Sequence, residues 1–77
     1  MTAVVVDTSA AFAVLAGEAG GDQLADSMGT FQERLMSAAT LVELGIVFVA
    51  RFGPSGTGLV ERFLREGEVD VVSVDRD

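Results

Sequence analysis

Hydrophobic positions along this chain follow two rhythms, and the switches between them mark out the elements. Val4, Val5 and Val6 form an unbroken β-branched run, the pattern of a strand, which passes through Asp7-Thr8-Ser9 into helix-forming alanines. An apolar run without alternation suits a strand covered on both faces, the habit of parallel sheets. The first helix is expected from Ser9 to Leu15 or Ala16, stopping at Gly17. Glu18 to Gly21 breaks the pattern. Asp22 then stands where it can cap a short amphipathic helix carrying Leu24, Ala25 and Met28 and ending near Gly29. Arg34 to Ser37 offers a brief second strand around Leu35 and Met36.

A longer helix is expected from Leu41 to Phe52, closed by Gly53-Pro54. Its apolar residues leave almost no polar face, so burial on most sides is expected, with Glu43 as the anomaly. Ser55 to Gly58 reads as a Gly-rich connection. Leu59, Val60, Phe63 and Leu64 then mark one helix face, with Glu61 and Arg65 as a surface pair and Gly67 as the end. Val69 to Val74 is a third strand whose partial alternation suits an outer position. Strand, two helices, strand, two helices, strand, joined by right-handed crossovers, predicts an α/β fold with three parallel strands in one sheet.

Composition narrows the chemistry. The 77 residues make one small domain, and a chain this short buries only a little over ~60% of its unfolded surface. The absence of cysteine excludes disulfides and thiolate metal sites, the absence of histidine removes the usual general base and zinc ligand, and any metal must be held by oxygen. Five arginines, no lysine and twelve acids give a net charge of -7. Adhesion to nucleic acid or an anionic membrane through a basic surface is therefore disfavoured, and a nucleic-acid substrate would need bound cations or a basic partner to bring it in. No basic region precedes the first apolar run and no apolar stretch approaches the ~20 residues of a membrane span, so a cytoplasmic location is expected.

Two carboxylates stand out. Asp7 closes the first strand at its carboxyl end, where open α/β sheets bind their ligands, but it is equally placed to cap the following helix. Glu43 lies three residues after Thr40, the spacing of a capping box; the start of a helix is also where an acid can be aimed at a neighbouring strand end. A phospho-acceptor role for Asp7 is the weaker option, because no lysine exists to complete such a site, and Ser55 to Gly58 lacks the lysine of a phosphate-cradling loop.

Val-Val-Val-Asp7-Thr-Ser-Ala, followed by Ser37-Ala-Ala-Thr-Leu-Val-Glu43-Leu-Gly, the Gly53-Pro54 stop and a strand ending Val-Ser-Val-Asp75, resembles the N-terminal part of a PIN domain. More narrowly it is similar to VapC-type toxins of bacterial toxin-antitoxin modules. The resemblance implies a PIN-like three-layer fold whose second half is missing here, residues 1–77 being the N-terminal part of a single domain. It also implies a metal-dependent endoribonuclease, silenced by a VapB-type antitoxin and working as a homodimer or higher assembly, with no membrane role. Asp7 and Glu43 match the first two of the family's clustered acids, which would hold Mg2+ or Mn2+. The further acids of the family lie beyond the third strand. Asp75 and Asp77 are poor substitutes, since a third strand two places from the first stands roughly 10 Å away at ~4.8 Å per strand; Asp75 is expected to cap a helix that follows. Val4 to Val6 is then expected to form an exposed apolar edge, and this chain alone to be inactive. The alternative is a non-catalytic module that binds antitoxin or a second copy through Phe12, Leu15, Leu24, Phe48, Phe52 and Phe63, set against the reading of those residues as ordinary core.

Overall fold

A computed structural model describes residues 2–73. Its elements are β1 (Ala3–Val5), α1 (Thr8–Leu15), α2 (Gly21–Gly29), β2 (Glu33–Ser37), α3 (Ala38–Phe52), α4 (Ser55–Glu66) and β3 (Val69–Val72). The three strands pair in parallel in one sheet, as the alternation of strands with helix pairs predicts, and their order β1-β2-β3 is the one that the resemblance implies. Val74 and the acids Asp75 and Asp77 lie outside the described residues.

Register decides which side chains share a face. Val4, Arg34 and Val69 stand abreast, as do Val5, Leu35 and Asp70, and side chains alternate along each strand. On the first face Val6, Met36 and Val69 join Ala11 of α1, Met28 of α2, Leu44 and Phe48 of α3, and Val60 and Phe63 of α4 in one buried cluster. All four helices thus share one core with one side of the sheet. The other side carries Val5, 71% exposed, and the half-open Val72. Double coverage of the Val4 to Val6 run is therefore not found among the described residues. An unbroken apolar run reports the hydrophobicity of both faces, not whether a neighbour is present to cover them.

Helix starts differ from the sequence reading in instructive ways. α3 begins at Ala38, three residues early, because Ser37 caps it: the Ser37 hydroxyl oxygen accepts from the Thr40 amide at 3.0 Å and its O–H donates to the Thr40 hydroxyl, also at 3.0 Å. Ser is a better cap than Thr, and Ala38-Ala39 has the highest helix propensity. The Thr40–Glu43 capping box is therefore not formed. Only Leu44 and Phe48 of α3 are buried, while Val42 and Ile46 are more than 60% exposed, so α3 packs along one stripe and not all round.

α4 begins at Ser55, so the expected Gly-rich connection is its first turn. Gly56 explains why: a Cβ there would fall on the Phe48 carbonyl, so the glycine lets α4 lie against the backbone of α3. The surface pair on α4 is Arg62–Glu66 at 3.0 Å, in place of Glu61–Arg65, and both partners are too exposed for it to matter much. α2 starts at Gly21 behind Gly20, which takes the left-handed conformation at φ 87°. Asp22 is thus not the cap but lies in the first turn, where its charge suits the helix dipole.

One charge is turned inward. The Arg34 side chain, only 14% exposed, donates from Nε to the Gly67 carbonyl at 2.7 Å and from Nη1 to the carbonyls of Phe31 at 2.7 Å and Met28 at 3.2 Å. It ties the end of α2, the start of β2 and the turn into β3 at the amino ends of the strands.

Candidate active site

The carboxyl ends of β1 and β2 each run almost directly into a helix, and both candidate acids gather there. Asp7 sits one residue beyond Val6 in extended conformation, and its Oδ1 accepts from the Ala10 amide at 2.8 Å, capping α1. That bond fixes the carboxylate while engaging one of its oxygens. The residue stays exposed. Asp7 is thus a cap, and still an acid facing solvent at a strand end.

Glu43 stands in the second turn of α3, on an exposed face, and not in the apolar surroundings that the run of hydrophobic neighbours suggested. Its Oε1 accepts from the Thr8 hydroxyl at 2.9 Å, across 35 positions of sequence. Thr8 follows Asp7 directly, so this one bond ties the acid of α3 to the residue beside the acid of β1. Both candidate residues are therefore brought to the same corner. Thr8 was not singled out by its sequence context, beyond its place in Asp-Thr-Ser. Only the packing of α1 on α3 gives it a role.

The donor set is hard oxygen throughout. Among the described residues no third Asp, Glu, His or Cys joins the pair. Two carboxylates suit Mg2+, which retains several waters and is commonly held by one or two carboxylates plus substrate phosphate. A cleft of about 620 Å³ lies elsewhere, between α1, α2 and α4, with Val14, Met28, Arg34, Leu59 and Phe63 in its walls. Neither Asp7 nor Glu43 lines it, and both are exposed to solvent. None of the described helices is long and apolar enough to cross a membrane.

The PIN domain family model matches residues 4–77. The chain belongs to the PIN domain family. Among curated proteins, this PIN domain chain is 35% identical over 74 residues to Ribonuclease VapC30 of Mycobacterium tuberculosis and to VapC ribonuclease Mb0640 of Mycobacterium bovis, the match covering 96% of this chain and 56% of each relative. Ribonuclease VapC of Mycolicibacterium smegmatis is similar to the same degree, with 57% of its length covered. The PIN domain chain thus spans little more than half the length of the relatives it matches. The match accords with its parallel three-stranded sheet.

Proposed function

We propose that the protein acts as an endoribonuclease toxin in which Asp7 and Glu43 hold a divalent cation, Mg2+ or Mn2+. The observation that carries this reading is the Thr8–Glu43 bond, which draws an acid from α3 to the exposed end of β1 in a PIN domain similar to named ribonucleases. When bound, such an ion neutralises phosphate charge and eases deprotonation of the attacking water. The protein's own residues do the positioning. The Ala10 amide holds one oxygen of Asp7 and leaves the other for a ligand, and Thr8 does the same for Glu43. Both carboxylates are thereby fixed before any ligand arrives, which reduces the ordering cost of binding. Residues 1–77 supply these two acids as part of a single PIN domain. Among the described residues no third acid joins them, so these residues by themselves are expected to be inactive.

The test is cleavage of a labelled structured RNA with and without Mn2+, in the protein with its full PIN domain. Cleavage should need the metal and should fall at least about 100-fold in both Asp7→Asn and Glu43→Gln, which corresponds to about 2.7 kcal/mol of transition-state stabilisation. Undiminished metal-dependent cleavage by Asp7→Asn would reject the assignment.

A second reading concerns partners, a VapB-type antitoxin and a further copy of the protein. The exposed stripe of Val42, Ile46 and Val49 on α3 and the apolar walls of the α1-α2-α4 cleft favour it, whereas Phe48 and Phe63 are core and unavailable. Titration calorimetry with the cognate antitoxin peptide decides it, with loss of heat on Ile46→Asp or Leu59→Asp expected. An RNA substrate and such a partner put the site of action in the cytoplasm.

A further inference from the structure

We propose that Arg51, held on the rings of Phe12 and Phe52, is a binding residue for single-stranded RNA, contacting a phosphate several nucleotides away from the one at Asp7 and Glu43; the proposal rests on the nuclease reading. A chain of net charge -7 without lysine has few means of attracting a polyanion, so the disposition of its arginines is informative. Arg34 is turned inward, bonded to three backbone carbonyls and with its Nη2 4.0 Å from Glu68. Arg62 is paired with Glu66. Arg65 lies in the last turn of α4, next to the turn into β3 and so at the amino ends of the strands, away from the acids. Arg76 lies outside the described residues. Arg51 is exposed, and among the described residues no carboxylate lies within ion-pair distance of it.

Its guanidinium carbon stands 5.4 Å from the Phe12 ring centroid and 5.7 Å from that of Phe52. Both rings lean on Phe48, at 5.3 Å and 5.2 Å between centroids, and Phe48 is fully buried. The cation therefore rests on a platform anchored in the core, and its N–H edges are not engaged by any described carboxylate. Such a stacked guanidinium keeps its forked donors for phosphate, and the partly exposed Phe52 ring offers a face on which a base can stack.

The platform also lies at a useful distance from the acids. Phe12 is one turn along α1 from Thr8, and Arg51 is two turns along α3 from Glu43, roughly 12 Å at 1.5 Å per residue. At a rise of ~3.4 Å per stacked nucleotide this spans about three to four nucleotides. A strand with one phosphate at the acids can thus place another on Arg51. A purely structural role is the competing account, in which the side chain shields the two rings and complements the end of the α3 dipole.

Steady-state cleavage by the protein with its full PIN domain separates these. Arg51→Met retains apolar cover over the rings while removing charge and donors; Arg51→Lys retains the charge alone. With an RNA extending six nucleotides on either side of the cut, Arg51→Met should raise KM about tenfold at unchanged kcat, and reduce the slope of log affinity against log salt by about 0.7. Arg51→Lys should keep the salt slope and recover KM only in part. With a substrate cut back to one nucleotide on either side, wild type and Arg51→Met should be indistinguishable. An unchanged KM and salt slope in Arg51→Met, alongside cleavage that still requires Asp7, overturns this proposal and leaves the nuclease reading intact. So does a lowered melting temperature as its sole effect, or weakened association with protein partners at unaltered KM. Wild-type protein that fails to cleave any RNA removes the nuclease reading and this proposal with it.

Discussion

The two ends of the parallel strands each hold a charged constellation, and the two are built on opposite terms. At the amino ends Arg34 is nearly enclosed, and three backbone carbonyls accept from it. At the carboxyl ends Asp7 and Glu43 are exposed, each steadied by one hydrogen bond through one oxygen. A charge that is nearly enclosed and bonded to backbone from three segments contributes to the fold. A pair of charges fixed in place with capacity left over, facing solvent at the ligand-binding end of a parallel sheet, is equipped to hold something else.

The contrast can be broken from either side. Arg34→Met should be the most damaging change: three carbonyls lose a charged donor in half-buried surroundings, an expected loss of about 3 kcal/mol or more in chemical denaturation. Asp7→Asn is the reverse case. Asparagine caps a helix as well as aspartate does, so stability should move by only a few tenths of a kcal/mol. Cleavage nevertheless should fall by two orders of magnitude, about 2.7 kcal/mol at the transition state. Thr8→Val, nearly isosteric, frees Glu43 from its tie and should lower cleavage about tenfold, about 1.4 kcal/mol, with little change in melting. Ser37→Ala, which removes the cap of α3 but touches neither acid, should cost about 1 kcal/mol of stability and leave the rate per folded molecule unchanged.

Much of this was legible in the chain itself. The β-branched runs and Gly stops point to three parallel strands in one sheet, their order following from the family resemblance, and Asp7 and Glu43 are visible as acids at a strand end and a helix start. What escaped was what depends on contacts between distant segments. Ser55 to Gly58 reads as a loop by propensity, but Gly56 is there so that α4 can lie on the Phe48 carbonyl, and packing overrides the helix cost of two glycines. Thr40 and Glu43 have capping-box spacing, but Ser37 three residues earlier is the stronger cap and displaces the frame. The apolar run of α3 suggests burial all round, while among the described residues its buried side is the Leu44–Phe48 stripe, with Leu41 packed beside it. Thr8 shows its part only once α1 lies on α3.

The most direct test of the central claim, that these acids hold a cation and do not merely finish a helix, is Mn2+ titration followed by electron paramagnetic resonance. It should be run on the protein with its full PIN domain and on its Asp7→Asn and Ser37→Ala variants. Saturable binding by wild type and Ser37→Ala, weakened at least about tenfold in Asp7→Asn at an unchanged melting temperature, is the expected result. Equal Mn2+ affinity in wild type and Asp7→Asn would contradict it and reduce Asp7 to a helix cap.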